Sequence, residues 1–205
     1  MKYQIRGTPS TVIGIALLAV SLGIFLANHA TSPIHAAQNQ PVAADILKIA
    51  ATIKDGNNAA AKKQAAALAA KIEDLEHVMR VFKPRKKDGK GGVGVGNGGI
   101  TPDGIELLLY DLEAGKFGAA AIAKEAAVLE EMAQRIAAVA EVTDVKLPEK
   151  FVLPQKKENW LEWSATVRMS AAELAKAAKA KNAQAVKTIA GKINAACNLC
   201  HTDFR

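Results

Sequence analysis

Aromatic side chains are scarce. Phe, Tyr and Trp together make up 4% of the 205 residues. That argues against a β sandwich or barrel, whose strands favour aromatic and β-branched side chains. Cysteine is scarcer still. Cys197 and Cys200 are the only two, which excludes a disulfide-rich scaffold. Neither sign of charge dominates: 27 Lys+Arg against 20 Asp+Glu leave +7, moderate for this length. Charge alone therefore implies no nucleic-acid partner. What the chain has in quantity is alanine, with leucine, lysine and glutamate, all strong helix formers. A hydrophobic content of 50% is too high for a disordered chain. The expectation is an all-α protein, long enough to bury one core without staples.

Residues 1–36 read as an address label rather than as part of the fold. Lys2 and Arg6 form a basic start, and Thr11 to Ala27 is almost wholly apolar. Small residues follow near Ala36, where cleavage is expected. The rival reading is an uncleaved membrane anchor, because the run approaches spanning length. Either way the rest of the chain, 37–205, is expected to be exported, periplasmic or held at the membrane, and Lys2 and Arg6 no longer count, leaving +5.

Three helix–turn–helix units follow. Their turns are expected at Asp55–Asn58, near Gly115 and near Asn182, since Gly and Asn tolerate the left-handed backbone of a helix end. Short turns predict antiparallel neighbours. Apolar stripes at helical spacing run through Leu68, Ile72, Leu75, Met79 and Phe82, and through Leu129, Met132, Ile136 and Val139. Two more join Trp160, Trp163, Val167, Ala171 and Leu174, and Val186, Ile189, Ile193, Cys197 and Cys200. The stretch Val145 to Pro154 reads as a connector.

One segment differs: Lys83-Pro84-Arg85-Lys86-Lys87-Asp88-Gly89-Lys90, then GGVGVGNGG. Pro84 should stop the preceding helix, and Thr101-Pro102 should start the next as N-cap and first helical residue. Gly94, Gly96 and Gly99 match G-x-G-x-x-G by letter, but no strand precedes them, so a dinucleotide site is rejected. The G-K-[ST] ending of a P-loop is also missing. The segment reads as a flexible solvated loop, or as a basic docking loop for an acidic partner or anionic lipid.

The motif with chemistry is Cys197-Asn198-Leu199-Cys200-His201, C-x-x-C-H, the haem-attachment signature. Two cysteines three apart on a helix share a face and can form thioethers to the two vinyl groups of one haem. The adjacent imidazole of His201 can then reach the iron. Chance spacing would produce the pattern on the order of once in five thousand. The alternatives are a redox C-x-x-C, a zinc site from Cys197, Cys200, His201 and His77, and a plain Cys197–Cys200 disulfide.

From about Trp160 to Arg205 the chain resembles the class II cytochrome c family, typified by cytochrome c prime. The residues behind this are Trp160, the alanine-rich helix to Lys181 and the C-terminal Ala196-Cys197-Asn198-Leu199-Cys200-His201-Thr202-Asp203-Phe204-Arg205. The resemblance implies an antiparallel four-helix bundle with one covalent haem c near one end. It implies Cys197 and Cys200 as thioether sites, His201 as proximal iron ligand and Arg205 as an electrostatic neighbour. It also implies pairing into homodimers. The chain departs by being longer, with an extra helical hairpin and the basic glycine-rich loop.

The opposite side of the iron decides the function. In that family an apolar residue there leaves the iron open to nitric oxide and carbon monoxide, whereas a methionine gives an electron-transfer centre. Met79 is the leading candidate, on a stripe close to Pro84. Met132 and Met169 sit far from helix ends, and His77 lies off the stripe, facing solvent or a helix edge. Trp160 and Trp163 read as core that could also wall the pocket. No catalytic base, nucleophile or substrate pocket is visible, so the chain is not expected to be an enzyme. The expected function is one-electron transfer between exported or membrane redox proteins, with diatomic-gas binding as the alternative. Lys83, Arg85, Lys86, Lys87 and Lys90 would steer acidic redox partners if they lie at the haem end.

Overall fold

A computed structural model of the chain describes residues 33–86, 91–97, 100–147 and 154–204. The expected leader lies outside them as far as residue 32, and its expected end falls in the first turn of α1. The elements are helices throughout: α1 Pro33–Lys54, α2 Asn58–Ala69, α3 Glu76–Met79, α4 Ile105–Glu113, α5 Ala119–Lys124, α6 Ala126–Val145, α7 Pro154–Lys179 and α8 Ala183–Phe204. A 3₁₀ turn, Arg80–Phe82, continues α3. No strand occurs among the described residues, and none of their helices is long and apolar enough to cross a membrane. The fold is the all-helical bundle that the residues imply.

The turns fall where Gly and Asn stand. Gly56 takes φ +76 after α1, and Asn57 caps α2, its side chain accepting from the Ala60 N–H at 3.1 Å. Between α7 and α8 the roles divide differently from expectation. Asn182 caps α8 by accepting from the Ala185 N–H at 3.0 Å. The left-handed residue is Lys181, at φ 54, where a Cβ is strained. Lys181→Gly should therefore raise stability by about 1 kcal/mol, read as a higher urea midpoint at unchanged slope.

Side-chain pairs give the helix directions. Thr143 Oγ1 meets Ser164 Oγ at 2.7 Å, and Glu141 meets Arg168, farther along α7, at 3.8 Å. The pairs advance in opposite senses, so α6 and α7 are antiparallel. Trp160 stacks edge-on to Phe204 at 5.1 Å between centroids, and Glu173 faces Lys192 at 3.7 Å. α7 and α8 are therefore antiparallel too. Tyr110 bonds Asn198 at 3.3 Å and Asn194 bonds Glu113 at 2.7 Å, which sets α4 antiparallel to α8.

Two expectations give way here. The helices of the second unit, α4 and α6, are not principal neighbours: α4 packs on α8, while α6 packs on α7 and on the α1–α2 hairpin. α6 is accordingly no narrow-striped helix. From Met132 to Thr143 every residue is buried, with Ala133, Ala137, Ala138 and Ala140 letting neighbours approach closely. The long stripe from Leu68 to Phe82 is also broken. α2 ends at Ala69, and the Asp74 carboxylate accepts from the Glu76 N–H at 2.8 Å, so helix restarts only at α3. Asp favours such local caps over helix interior.

α4 starts later than Thr101-Pro102 suggests. Gly104 precedes its first residue in extended conformation, and a side chain there would touch the Pro84 ring at 3.0 Å. Pro84 does end the preceding turn, with Lys83 already extended.

Candidate functional site

The C-terminal end of α6, the N-terminal half of α7 and the C-terminal end of α8 meet at one end of the bundle, joined there by α3 and the start of α4. They border a half-open cavity of about 1510 Å³. That exceeds the range of roughly 300–1,000 Å³ common for small-molecule sites. Cys197, Cys200 and His201 line it from α8; Trp160, Trp163 and Val167 line it from α7. Val139, Ala140 and Thr143 of α6 and Leu109 and Tyr110 of α4 complete much of the wall.

The helical spacing of the motif brings both cysteines and the histidine to the cavity side of α8. Cys197 and Cys200 are half-buried and both are free thiols, while His201 is exposed at the cavity edge. Burial pushes the Cys197 thiol up to about 11, with Glu106 adding to the effect. Burial likewise raises Cys200 to about 12, helped by Cys197 and Asp203. Both sulfurs are therefore protonated at neutral pH and slow to oxidise. Tyr110 of α4 donates to the side-chain oxygen of Asn198, inside the motif, at 3.3 Å.

An aromatic wall faces the thiols. Trp160 is buried and donates its indole N–H to the Thr143 carbonyl at 2.9 Å. Phe204 meets Trp160 edge-on, at 80° between planes, and Trp163 at 66° with centroids 6.2 Å apart. Lys156 lies over the Phe204 ring at 5.6 Å and donates to the Asp203 carbonyl at 3.2 Å. Both tryptophans thus serve as packing and as cavity wall.

The structure sorts the possible sixth ligands. Met79 lines the cavity from the end of α3. Met132 is fully buried in the core, and Met169 is 59% exposed on α7; neither reaches the cavity. His77 is buried, not turned to solvent, and does not line the cavity. Among the described residues no three His, Cys, Asp or Glu side chains group to hold a metal ion, so the zinc alternative finds no ligand set. Arg205 lies outside the described residues.

The glycine-rich segment is not a loose loop. Val93, Gly94, Val95 and Gly96 are buried against the bundle. Lys83 pairs with Glu106 at 2.6 Å, and Arg85 grips Asp103 through two bonds of 2.7 Å. Lys86 stays exposed, while Lys87 and Lys90 lie outside the described residues. Sequence reading missed this packing because its anchor, Arg135, stands on a distant helix. An arginine inside an apolar stretch of α6 was the available signal.

Partial burial alone would raise the Asp103 carboxyl. The Arg85 guanidinium and the Val95 and Arg85 amides outweigh it and hold the group below its ordinary value. A carboxyl depressed on folding contributes stability above its unfolded value, and that contribution is lost as pH falls through the folded one. Asp103→Asn should cost about 1 kcal/mol at neutral pH, and the difference from wild type should begin to shrink near about pH 4 and vanish only below the carboxyl's depressed folded value. Urea titrations across pH 3–7 would check it; a deficit undiminished in acid would point to shape, not charge.

The arrangement defines a class of protein: a helical bundle that places paired thiols and an imidazole on the rim of an aromatic-walled cavity. Residues 112–205 match the family model for Cytochrome C', so the segment from the end of α4 through α8 is cytochrome c prime-like. That family carries haem. No curated protein and no solved structure matches the chain. The donor set fits the group: two thiols at helical spacing, a neighbouring imidazole and a flat aromatic and aliphatic wall.

Proposed function

We propose that the chain is an exported c-type cytochrome carrying one covalent haem and passing single electrons between redox proteins. Cys197 and Cys200 would hold the haem as thioethers, and His201 would ligate the iron on the proximal side. When bound, the haem supplies an iron couple that gains and loses one electron. The observation that carries the reading is that Met79, alone among the described methionines, lines the same cavity as Cys197, Cys200 and His201. A thioether opposite an imidazole stabilises reduced iron and raises the potential. Trp160, Trp163 and Phe204 exclude water from one wall of the cavity, which keeps those ligand interactions strong. The leader-like pattern of residues 2–36 supports export.

The redox partner is a protein that docks at this end of the bundle. The cavity rim carries both signs, Lys86, Lys146 and Lys156 among the cations and Glu73, Asp74 and Asp203 among the anions, and so favours a partner of mixed charge. Gas binding is favoured by one observation: Leu109, Val139 and Val167 make much of the remaining wall apolar. The absorption spectrum of the haem-loaded protein decides. A low-spin spectrum with a thioether-to-iron band supports electron transfer. A high-spin spectrum that shifts under carbon monoxide supports gas binding.

A further inference from the structure

α6 carries an arginine where packing calls for hydrocarbon. Arg135 is 7% exposed and stands beside Ile136, which is fully buried. Its Nη1 donates to two successive carbonyls, Val93 O at 2.8 Å and Gly94 O at 2.9 Å. Its Nη2 faces Glu131 Oε2 at 3.5 Å, and that same oxygen accepts from the Asn97 N–H at 2.8 Å. Two neighbouring carbonyls converge on one nitrogen here because the backbone turns at Gly94, whose φ is +71.

From this joint the contacts lead to the cavity. The Val93 N–H donates to the Val81 carbonyl at 3.2 Å, and the Gly92 N–H to the Pro84 carbonyl at 2.9 Å. Val81 is buried in the 3₁₀ turn that directly follows Met79. A side chain at Gly92 would sit 2.5 Å from the Val81 carbonyl, so the strap lies directly against the backbone of that turn. Arg135 itself does not line the cavity.

The geometry points to Arg135 as a positioning residue for Met79: its guanidinium pins the glycine-rich strap, and the strap holds the turn that presents the Met79 thioether to the cavity. The inference rests on the reading of Met79 as sixth ligand. Its physical basis is the cost of the alternative. Without the guanidinium, two buried carbonyls lose their donor, and the strap must move to find water. A strap that moves releases the turn, and the fraction of molecules with Met79 in place falls.

The test uses the haem-loaded protein and two readouts, the thioether-to-iron band of the ferric form and carbon monoxide binding by the ferrous form. Arg135→Gln should lose roughly half of the band or more and gain about tenfold in carbon monoxide affinity, with helix content unchanged. Arg135→Lys should recover part, since one ammonium can reach a carbonyl but offers no fork. Wild-type band and affinity in Arg135→Gln would overturn the proposal. If Arg135→Gln does not fold, Gly94→Ala decides, because it strains the same joint and leaves the guanidinium in place. Loss of the band is expected there, and an unchanged band overturns the inference. A wild-type protein without the band, or a band that survives Met79→Ala, rejects the ligand assignment and the clamp with it. A band lost in Met79→Ala but kept in both strap variants rejects the clamp alone.

Discussion

Cys197→Ser combined with Cys200→Ser should yield a folded protein with no covalent haem after expression alongside a haem c maturation system. The wild type should gain the mass of one haem, and the double variant none. A serine hydroxyl does not supply the sulfur that a thioether needs. Both side chains are half-buried on the cavity side of α8, so the folded state should lose only about 1 kcal/mol per substitution. Each single variant should keep a haem tethered by one bond. Intact-protein mass spectrometry reads all three results directly. A wild-type chain of bare polypeptide mass would remove the basis of the proposed function.

Met79→Ala should have the second-largest effect. The thioether-to-iron band should disappear, carbon monoxide should bind the reduced protein, and the potential should fall by about 0.1 V or more. Axial ligands command roughly 0.8 V across haem proteins. The same change at Met169 should do nothing, since that side chain is 59% exposed and away from the cavity. Met132→Ala should cost about 2–5 kcal/mol of stability, because it empties a fully buried core position. It should leave the band in place. A potential in Met79→Ala equal to that of wild type would turn the reading toward an open, gas-binding iron.

The features written in local residue patterns were legible before the structure. The C-x-x-C-H motif, the turn at Asp55–Asn58 and the Asn182 cap before α8 depend on neighbours in sequence. So does the placing of Met79 near the cavity end of the bundle, through its distance from Pro84. What was not legible depends on partners far along the chain. The choice of α4 to pack on α8 rather than on α6 is settled by Tyr110 meeting Asn198 and Glu113 meeting Asn194. The break after Ala69 turns on one aspartate finding an amide two residues on. The glycine-rich segment looked solvated because its charges are dense. Lys83 and Arg85 are instead matched by Glu106 and Asp103, on the far side of the strap. Helical phase alone places His77 toward solvent or a helix edge, and that phase is reset where α2 stops, leaving the side chain buried.

The cavity draws its walls from both sides of residue 112, where the family match begins. The C-x-x-C-H motif and the tryptophan wall lie in residues 112–205, the part that matches a family model; Met79, Pro84 and Tyr110 precede it. On the proposed reading, anchoring the haem would fall to the later stretch and supplying its sixth ligand to the earlier one. Grafting a different leading half onto the same tail should reset the voltage of the centre while leaving its tether untouched.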